Sequence, residues 1–328
     1  MRTRATALCL AVVLSVSSCN GAADTGAAAD DNKVTYLTSF STFGRDSYVY
    51  VAQEKGYFDE VGLDVKVTPG TGTVDVLRLV ASGRATFGTA DFTGSVITVA
   101  REKLPVTTVG IVHQKSLAAL VSLSDKGITK PSDLAGKRIA DSSASTMQLM
   151  WTAYAKRAGL DSTAVTFVPA APPVLPQLLA AGKVDAIGQF TVGLPLIEKA
   201  AKGKKVSVLP YGDVLQDMYG NALVTTRKLV SDNPNLVFRF KKALFKGLQY
   251  AIENPEEAGK ILRKYQPTQD AGVAAAELKL MGPAVHPPGS TIGASDPERV
   301  RRTISMMEES GSIPFNSINE RDIVAATE

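Results

Sequence analysis

Few residues of this 328-residue chain have the types and spacing that chemistry on a substrate requires. His113 and His286 are its two histidines, and they lie too far apart in the sequence to show metal-ligand spacing. Neither the G-x-S-x-G elbow of a serine nucleophile nor the H-E-x-x-H pattern of a zinc site occurs. Both cysteines, Cys9 and Cys19, lie near the N-terminus. The sequence therefore predicts a protein without catalytic residues, metal or cofactor.

Binding is indicated instead, where polar residues follow predicted strands. The segment Asp141–Thr146 is rich in hydroxyls and comes directly before a predicted helix, whose free N–H groups can bind an anion. Its candidates are Ser142, Ser143 and Ser145, with helix capping as the alternative role. Asp91 also ends a predicted strand, either as an acceptor for a ligand or as a cap. Ligands bind beyond the carboxyl ends of parallel strands, so we expect these loops to face one cleft.

The first residues resemble an export signal with a lipid attachment site. Two arginines precede the apolar run Ala5–Val16, which is too short to span a bilayer and is typical of a signal peptide. The run ends in Val-Ser-Ser-Cys, which resembles a bacterial lipobox and implies a lipid on Cys19. An ordinary secretory signal is the alternative. We predict a signal peptide over 1–18 and a flexible tether over 19–32, because the tether has nothing to bury.

The charge pattern shows no nucleic-acid-binding surface. Lys and Arg number 36, Asp and Glu number 32, and the two signs are interspersed. A nucleic-acid-binding protein would need a clustered basic stripe. No stretch after the tether approaches transmembrane length. We therefore predict a soluble monomer that is held at the outer face of a membrane by its lipid.

From Lys33 onward, short β-branched runs alternate with amphipathic helical windows, which is typical of an α/β fold with parallel strands. We predict two lobes, each a mostly parallel sheet flanked by helices. Lobe one would span 33–117, lobe two 118–220, and the chain would return to lobe one with C-terminal helices over 221–328. The β-like stretches 117–123 and 221–226 are expected to be extended crossovers that form a hinge beside an interlobe cleft.

Five motifs, in order along the chain, resemble a known family. They read AQEKGYF with GLDV at 52–65, LVASGRATFG at 79–88, TKPSDLAGKRI at 129–139, AGKVDA at 181–186 and FKKALFKGLQYAIENPEEA at 240–258. The family is that of the SsuA/THI5-like solute-binding proteins of ABC importers, which serve thiamine pyrimidine precursors, aliphatic sulfonates, taurine and nitrate. The resemblance implies a type II periplasmic-binding-protein fold, which agrees with the two predicted lobes.

The resemblance also implies ligand contacts in the loop after the first strand. In the pyrimidine-precursor binders this loop carries a stacking Trp, and the matching residue here is Phe40, whose ring still stacks on a planar heterocycle. Arg45 or Asp46 would supply a charged contact, with Asp46 as the acceptor for an exocyclic amine. The alternatives are a core aromatic for Phe40, and a helix-cap and surface pair for Arg45 and Asp46.

Four more candidates lie toward the end of lobe two. Gln189 and Phe190 follow a predicted strand. Tyr219 and Asn221 lie beside the predicted hinge, in a stretch that resembles the pyrimidine-precursor branch of the family. Ordinary crossover packing is the alternative for this second pair.

Together these features predict a lipid-anchored solute-binding protein that captures a small planar ligand, similar to a thiamine pyrimidine precursor, by hinge closure. It would deliver the ligand to the permease and ATPase complex of an ABC importer. The alternative ligand is a sulfonate, taurine, nitrate or an aromatic carboxylate. Two other classes stay open: an enzyme of the same fold, such as a pyrimidine synthase, although this chain lacks the cysteine-rich motif of the yeast type, and a structural lipoprotein.

Overall fold

The computed structural model describes residues 32–143 and 145–325. The predicted signal peptide, Cys19 and nearly all of the predicted tether lie outside the described residues. In chain order the strands are β1 (Lys33–Leu37), β2 (Phe40–Ser41), β3 (Asp64–Thr68), β4 (Gly70–Thr71), β5 (Phe87–Asp91), β6 (Val106–Ile111), β7 (Ala118–Leu123), β8 (Arg138–Asp141), β9 (Thr166–Pro169), β10 (Ala186–Phe190), β11 (Val206–Pro210) and β12 (Asn221–Thr226).

The helices in the same order are α1 (Ser47–Glu54), α2 (Thr73–Ala81), α3 (Phe92–Glu102), α4 (Thr146–Arg157), α5 (Leu175–Ala180), α6 (Leu194–Ala200), α7 (Tyr211–Val214), α8 (Arg227–Asp232), α9 (Pro234–Glu253), α10 (Pro255–Tyr265), α11 (Ala271–Val285), α12 (Pro297–Glu309) and α13 (Glu320–Ile323). Short 3-10 helices lie between some of them, for example Gly44–Asp46 directly before α1. Within the described residues, no helix combines the length and apolarity needed to cross a membrane.

Most strands form two five-stranded sheets, with the orders β3-β1-β5-β12-β6 and β11-β7-β10-β8-β9. In the first sheet β1 is parallel to β3 and β5, whereas β12 is antiparallel to both of its neighbours. In the second sheet β8 is parallel to β9 and β10, whereas β7 is antiparallel to both of its neighbours. The predicted α/β fold of two sheets flanked by helices is confirmed, and each sheet is mixed, with one strand antiparallel to the other four. We call the first of these sheets, with the helices packed on it, the first lobe. The second sheet, with its helices, is the second lobe.

The chain passes between the sheets through residues 112–117 and 211–220. The stretches predicted as crossovers come directly after these connections in the chain, and they form strands β7 and β12 instead. The prediction was wrong because a β-branched run has the same sequence pattern in a paired strand and in an extended connection. The two connections hydrogen-bond to each other. The N–H of His113 donates to the carbonyl of Asn221, and the N–H of Gly220 donates to the carbonyl of His113, each at 3.0 Å.

The long helix α9 covers the first sheet because its sequence carries an apolar stripe. Asn233 caps its N-terminus with a side-chain acceptor, as the residue before a helix commonly does. On the stripe, the ring of Phe240 stacks on Phe87 of β5 and on Phe58, with centroid separations of 4.2 and 5.5 Å. Burial of each such ring is worth about 1.5–3 kcal/mol, so these contacts hold the sheet whose strand ends carry the first half of the site.

Candidate ligand-binding cleft

A small cavity lies between the two lobes at the ends of several strands. It is lined by hydroxyl, amide and aromatic side chains together with a methionine and a glycine. The first lobe contributes Ser39, Phe40, Gly72, Thr73 and Asn221, and the second contributes Ser145, Thr146, Met147 and Phe190. The cavity volume is about 10 Å³, close to the space that one water molecule needs. A ring-shaped ligand therefore requires the two lobes to move apart.

A short two-stranded ladder holds Phe40 at the cavity. The strands β2 and β4 pair antiparallel, with Phe40 opposite Thr71 and Ser41 opposite Gly70. Gly70 is required here, because a Cβ at this position would lie 1.9 Å from the carbonyl oxygen of Thr38. Neither strand was expected from the sequence, since each has two residues. The ladder fixes the backbone of the loop that follows the first strand.

Phe40 and Phe190 bring an aromatic ring from each lobe to the same cavity. Their centroids are 6.2 Å apart and their planes meet at 68°, which is an edge-to-face contact. Both rings are buried. The pair therefore brings one aromatic ring from each lobe to the boundary between the lobes, and aromatic faces of this kind can stack on planar rings.

Arg45 lies behind these rings and is not among the residues that line the cavity. It is 2% exposed. Its guanidinium carbon lies 4.5 Å from the ring centroid of Phe190 and 4.9 Å from that of Phe43, and its Nη2 donates to the carbonyl of Phe40 at 3.2 Å. The cation thus supports both aromatic residues of the cleft, and cation–π contacts of this kind stabilise by about 0.5–2 kcal/mol.

Two buried carboxyls accompany Arg45. Asp46 accepts a hydrogen bond from the N–H of Phe43 at 3.0 Å, and Glu277 of α11 accepts from the N–H of Arg45 at 3.3 Å. Burial raises the pKa of Asp46 to about 6 and that of Glu277 to about 7, against the opposing charge of Arg45. Glu277 was not predicted as a site residue from the sequence. The available signal was a single acidic residue in the stretch 273–281, which is otherwise apolar except for Lys279.

Asp91 caps α3, as the alternative interpretation of the sequence held. Its side chain accepts a hydrogen bond from the N–H of Gly94 at 2.8 Å, and its own N–H donates to the hydroxyl of Thr73 at 3.1 Å. Burial raises the pKa of Asp91 to about 7. Thr73 in turn lies 3.3 Å, oxygen to oxygen, from the hydroxyl of Thr146. That hydrogen bond joins the first lobe to the second across the cleft.

The hydroxyl-rich segment before α4 divides into separate roles. Ser145 caps α4, accepting from the N–H of Gln148 at 3.1 Å, and donates its hydroxyl to the buried carboxyl of Asp141. The N–H of Ser142 also donates to Asp141, at 2.8 Å. Ser143 is exposed. Of the three serines, Ser145 is the one that lines the cavity.

The two candidates beside the hinge, Asn221 and Tyr219, also have different roles. Asn221 lines the cavity, and its side-chain N–H donates to the hydroxyl of Ser39 at 3.0 Å. Tyr219 is not among the lining residues: its hydroxyl accepts from the N–H of Asp296 at 2.8 Å, and the guanidinium of Arg299 lies 3.8 Å from its ring. Tyr219 therefore links the hinge to the C-terminal helices.

Two further polar side chains at the cleft make contacts with the backbone. His113 accepts a hydrogen bond at Nδ1 from the N–H of Asn221 at 3.3 Å, and burial, assisted by Arg45, lowers its pKa to about 3. Gln189 accepts from the N–H of Phe190 at 2.8 Å. Among the described residues, no group of three or more His, Cys, Asp or Glu side chains has the arrangement of a metal site.

Of the sequence-predicted candidates, the structure brings Phe40, Ser145, Phe190 and Asn221 to one cavity. Arg45, Asp46, Asp91 and Gln189 are buried beside it, and Ser142, Ser143 and Tyr219 do not line it. The residues that sequence reasoning missed are Ser39, Gly72, Thr73, Thr146 and Met147. Most of them lie in or beside loops that were expected to face the cleft, so the loops were identified more accurately than the side chains.

Known proteins with related sequences extend over most of the chain. The formylaminopyrimidine-binding protein of Halalkalibacterium halodurans is 24% identical over 91% of this chain and 91% of its own length. The riboflavin-binding protein RibY of Chloroflexus aurantiacus is 26% identical over 83% of this chain and 81% of its own length. An enzyme is also related: the 4-amino-5-hydroxymethyl-2-methylpyrimidine phosphate synthase of Candida albicans is 25% identical over 72% of each chain.

The fold has close structural neighbours. The alkanesulfonate-binding protein SsuA of Xanthomonas axonopodis pv. citri superposes with a TM-score of 0.73 at 15% identity, covering 90% of this chain and 99% of that protein. This likeness establishes a periplasmic-binding-protein fold. The sequence profile of the NMT1/THI5-like family matches residues 47–258, which include β5, β8 and β10 and so the core of both lobes. The protein belongs to the NMT1/THI5-like family.

Proposed function

We propose that this protein is the extracytoplasmic solute-binding component of an ABC importer, and that its ligand is a small planar nitrogen heterocycle of the thiamine-pyrimidine-precursor type. The observation that carries the proposal is the pair Phe40 and Phe190, which places one aromatic ring of each lobe at a single cavity. Around the rings stand neutral hydrogen-bonding groups, namely hydroxyls and the amide of Asn221. Apolar walls with a few polar groups are the composition expected of a small-molecule site.

The related binding proteins support this ligand class. The two relatives described above are named for binding a formylaminopyrimidine and riboflavin, both of which are flat nitrogen heterocycles. A flat ring stacked against Phe40 and Phe190 would make favourable contacts with both lobes at once. Such a ligand would favour the closed arrangement of the lobes, because it binds that arrangement better than the open one.

An anion such as a sulfonate, taurine, nitrate or an aromatic carboxylate is the alternative ligand. The residues that line the cavity include no Lys or Arg among those described. The carboxyls of Asp91 and Asp141 lie directly behind lining residues. The guanidinium of Arg45 also lies behind the lining, but it is paired with the buried carboxylate of Asp46 at 4.0 Å. Burial of an anion without a cationic partner is costly, so the cleft favours a neutral or cationic heterocycle.

An enzymatic role is the second alternative, because the family also contains phosphate synthases. The side chains that line the cavity here are alcohols, an amide, aromatic rings and a thioether, none of which titrates near neutral pH. His113, the histidine nearest the cleft, uses one ring nitrogen to accept a hydrogen bond from the backbone. Binding without chemistry is therefore the role we propose.

The remaining parts of the proposal rest on the sequence. The lipid on Cys19 and the tether 19–32 would hold the protein at the outer face of the membrane, where the closed and loaded form would meet the permease. Residues 19–32 would be the linker between that lipid and the first lobe. We expect a monomer, because both halves of the cavity come from one chain and a second copy is not needed to complete it.

A ligand screen tests the proposal. The purified protein is melted in the presence of aminopyrimidines, riboflavin, alkanesulfonates, taurine, nitrate and aromatic carboxylates. A ligand at about a hundred times its dissociation constant adds about 2.7 kcal/mol of stability, which a melt detects. Stabilisation by the pyrimidines is the expected result. Stabilisation by sulfonates or carboxylates alone would overturn the proposed ligand class, and turnover of a bound pyrimidine would overturn the binding role.

A further inference from the structure

One carboxyl in the second lobe is buried without an ion pair. Asp141 ends β8 and is 0% exposed. In the described part of the chain its side chain accepts hydrogen bonds from the N–H of Ser142 and the hydroxyl of Ser145, and no Lys or Arg lies within ion-pair distance. Burying a carboxylate with two hydrogen-bond donors and no cation is costly, so the presence of Asp141 beside a binding cleft indicates a functional role.

The backbone makes room for this carboxyl. The strands β8 and β10 are neighbours, and the side chain of Asp141 lies over Gly188 of β10. A Cβ at position 188 would stand 2.3 Å from Oδ2 of Asp141. The absence of a side chain at Gly188 is therefore what lets the carboxyl reach the hydroxyl of Ser145.

Contacts within the protein use most of the hydrogen-bonding capacity of the Ser145 hydroxyl. A hydroxyl has one hydrogen to donate and two lone pairs. The hydrogen is donated to Asp141, and one lone pair accepts from the N–H of Gln148 at 3.1 Å. Ser145 lines the cavity, so the group it can offer to a ligand is the remaining lone pair.

We infer that Asp141, acting through Ser145, makes the second-lobe wall of the cavity a hydrogen-bond acceptor, so that the site selects a ligand edge that donates an N–H. This inference rests on the proposed function and narrows it to heterocycles with an exocyclic amino group. A sulfonate or nitrate oxygen would meet a lone pair at the same place. Asp141 is thus a specificity-determining residue that need not touch the ligand.

Protonation of Asp141 reverses the polarity of the wall. A protonated carboxyl can donate to Ser145, which fills both lone pairs and turns the hydroxyl hydrogen toward the cavity. Burial raises the pKa of Asp141 to about 7, with Ser145 and Ser142 opposing the rise, so both forms are populated near neutral pH.

The surroundings of Asp141 add no cation at this wall. The segments 166–169 and 186–190 on the adjacent strands carry no charged residue. The phenol of Tyr211 on α7 stays neutral, because burial and Asp141 both raise its pKa. The basic residues of α4, Lys156 and Arg157, lie in its last turn, at the far end of the helix from Ser145.

The test compares two ligands that differ in one group. The first is 4-amino-5-hydroxymethyl-2-methylpyrimidine, and the second is its 4-methoxy analogue, which has no N–H at that position. Their dissociation constants for the full-length protein are measured by calorimetry from about pH 8.5 to about pH 5.5, a range that brackets the titration of Asp141. We expect the amino compound to bind about tenfold more tightly at the high end, and the preference to shrink as the pH falls.

Variants separate Asp141 from other titrating groups. In Asp141→Asn the ratio of the two dissociation constants should lose the part of its pH dependence that does not come from the ligand itself. Ser145→Ala should lose the preference at every pH. Asp161→Asn is the control: it removes an exposed carboxyl of the second lobe that bonds to Thr163 and does not line the cavity, and it should keep the wild-type profile.

Two results would overturn the inference. An identical pH profile in the wild type and in Asp141→Asn would do so while leaving the proposed function intact. If neither pyrimidine bound the wild type, the proposed function and this inference would fall together. Should Asp141→Asn melt as an unfolded protein, the wild-type profile and Ser145→Ala decide the matter between them.

Discussion

The ring of Phe40 meets the ring of Phe190 edge to face across the boundary between the lobes, with centroids 6.2 Å apart. An aromatic pair prefers centroid separations of about 4.5–7 Å, so the two rings are in contact and leave no room for a third ring between them. A flat ligand that stacked on both rings would have to separate them first. In this structure the two walls of the cleft touch at this contact.

Truncation of either ring should weaken binding of a planar ligand. Phe40→Ala and Phe190→Ala each remove one stacking face and are expected to cost about 1 kcal/mol or more of binding free energy. Isothermal titration calorimetry with an aminopyrimidine measures this loss. Phe238→Ala is the control, since Phe238 lies on α9 with 55% of its surface exposed. An unchanged affinity in Phe40→Ala would leave Phe40 as a core residue only.

Ligand binding should change the shape of the protein in solution. The cavity of about 10 Å³ cannot admit a heterocycle, so entry requires opening about the connections 112–117 and 211–220. Under the proposed hinge closure the free protein populates open arrangements and the ligand favours the closed one. We therefore expect small-angle X-ray scattering to give a larger radius of gyration without ligand than at saturation. Two identical scattering curves, recorded with and without a ligand that calorimetry shows to be bound, would contradict hinge closure.

Substitution of Gly188 should destabilise the second lobe. A Cβ at this position would stand 2.3 Å from Oδ2 of Asp141, so Gly188→Ala forces the carboxyl or the strand to move, at a cost of about 1–3 kcal/mol. Gly212→Ala is the matched control, because no atom lies within 4 Å of the corresponding Cβ. Urea denaturation monitored by circular dichroism gives both values. Equal stabilities of the two variants would show that β10 yields without cost.

Stability should fall as the pH rises through neutrality. Burial raises the pKa of Asp91 and of Asp141 from 3.8 to about 7, and that of Glu277 from 4.5 to about 7. In this window these three carboxyls hold protons that the unfolded chain releases, so their stabilisation is complete below about pH 4 and lost through about pH 7. His113, whose pKa burial lowers from 6.5 to about 3, acts in the opposite direction, but it is one group against three. Denaturation at about pH 5 should require more urea than at about pH 8. Asp141→Asn should flatten the profile, and a wild-type stability that rises over this range would contradict the assignment.

Lipid attachment gives a prediction that is independent of the fold. If Cys19 carries the lipid, the wild-type protein will fractionate with membranes and Cys19→Ala will not. Mass spectrometry of the N-terminal peptide identifies the modification directly. Cys9→Ala is the control, because Cys9 lies within the predicted signal peptide and should not affect anchoring. A soluble wild-type protein with an unmodified N-terminal peptide would support an ordinary secretory signal.

Elements with strong periodicity were predictable from the sequence. The apolar periodicity of residues 236–253 predicts a helix, and the structure has α9 there; it begins earlier because Pro234 suits the first helical turn. The sequence also predicts helices that end before Gly83 and Gly159. These correspond to α2 and α4, and both glycines have positive φ angles. The small ladder of β2 and β4 was missed, since two-residue strands carry no periodic signal and are held by tertiary contacts.

The site was predictable at the level of loops. The rule that ligands lie beyond strand ends selected the segment that holds Ser145, and the family resemblance selected the loop that holds Phe40. That rule could not indicate which side chains face the cavity, because that depends on the backbone of each turn. Ser143 and Ser145 have the same chemistry, yet one is exposed and the other lines the cavity. The sequence indicates Asp141 only as the start of a polar loop. Its buried position over Gly188 depends on the pairing of two strands and is visible only in the structure.

The antiparallel pairing of β7 and β11 places Ala119 opposite Pro210. The segment that builds the second sheet therefore leaves and rejoins the rest of the chain at neighbouring points, like an insertion, and segments with adjacent ends are readily exchanged. Replacement of residues 118–210 by the matching segment of a relative would carry Ser145 and Phe190 with it while Phe40 and the other first-lobe residues stayed behind. Half of the pocket therefore lies on one segment with adjacent ends, and exchange of that segment would alter the second-lobe lining without redesign of the hinge.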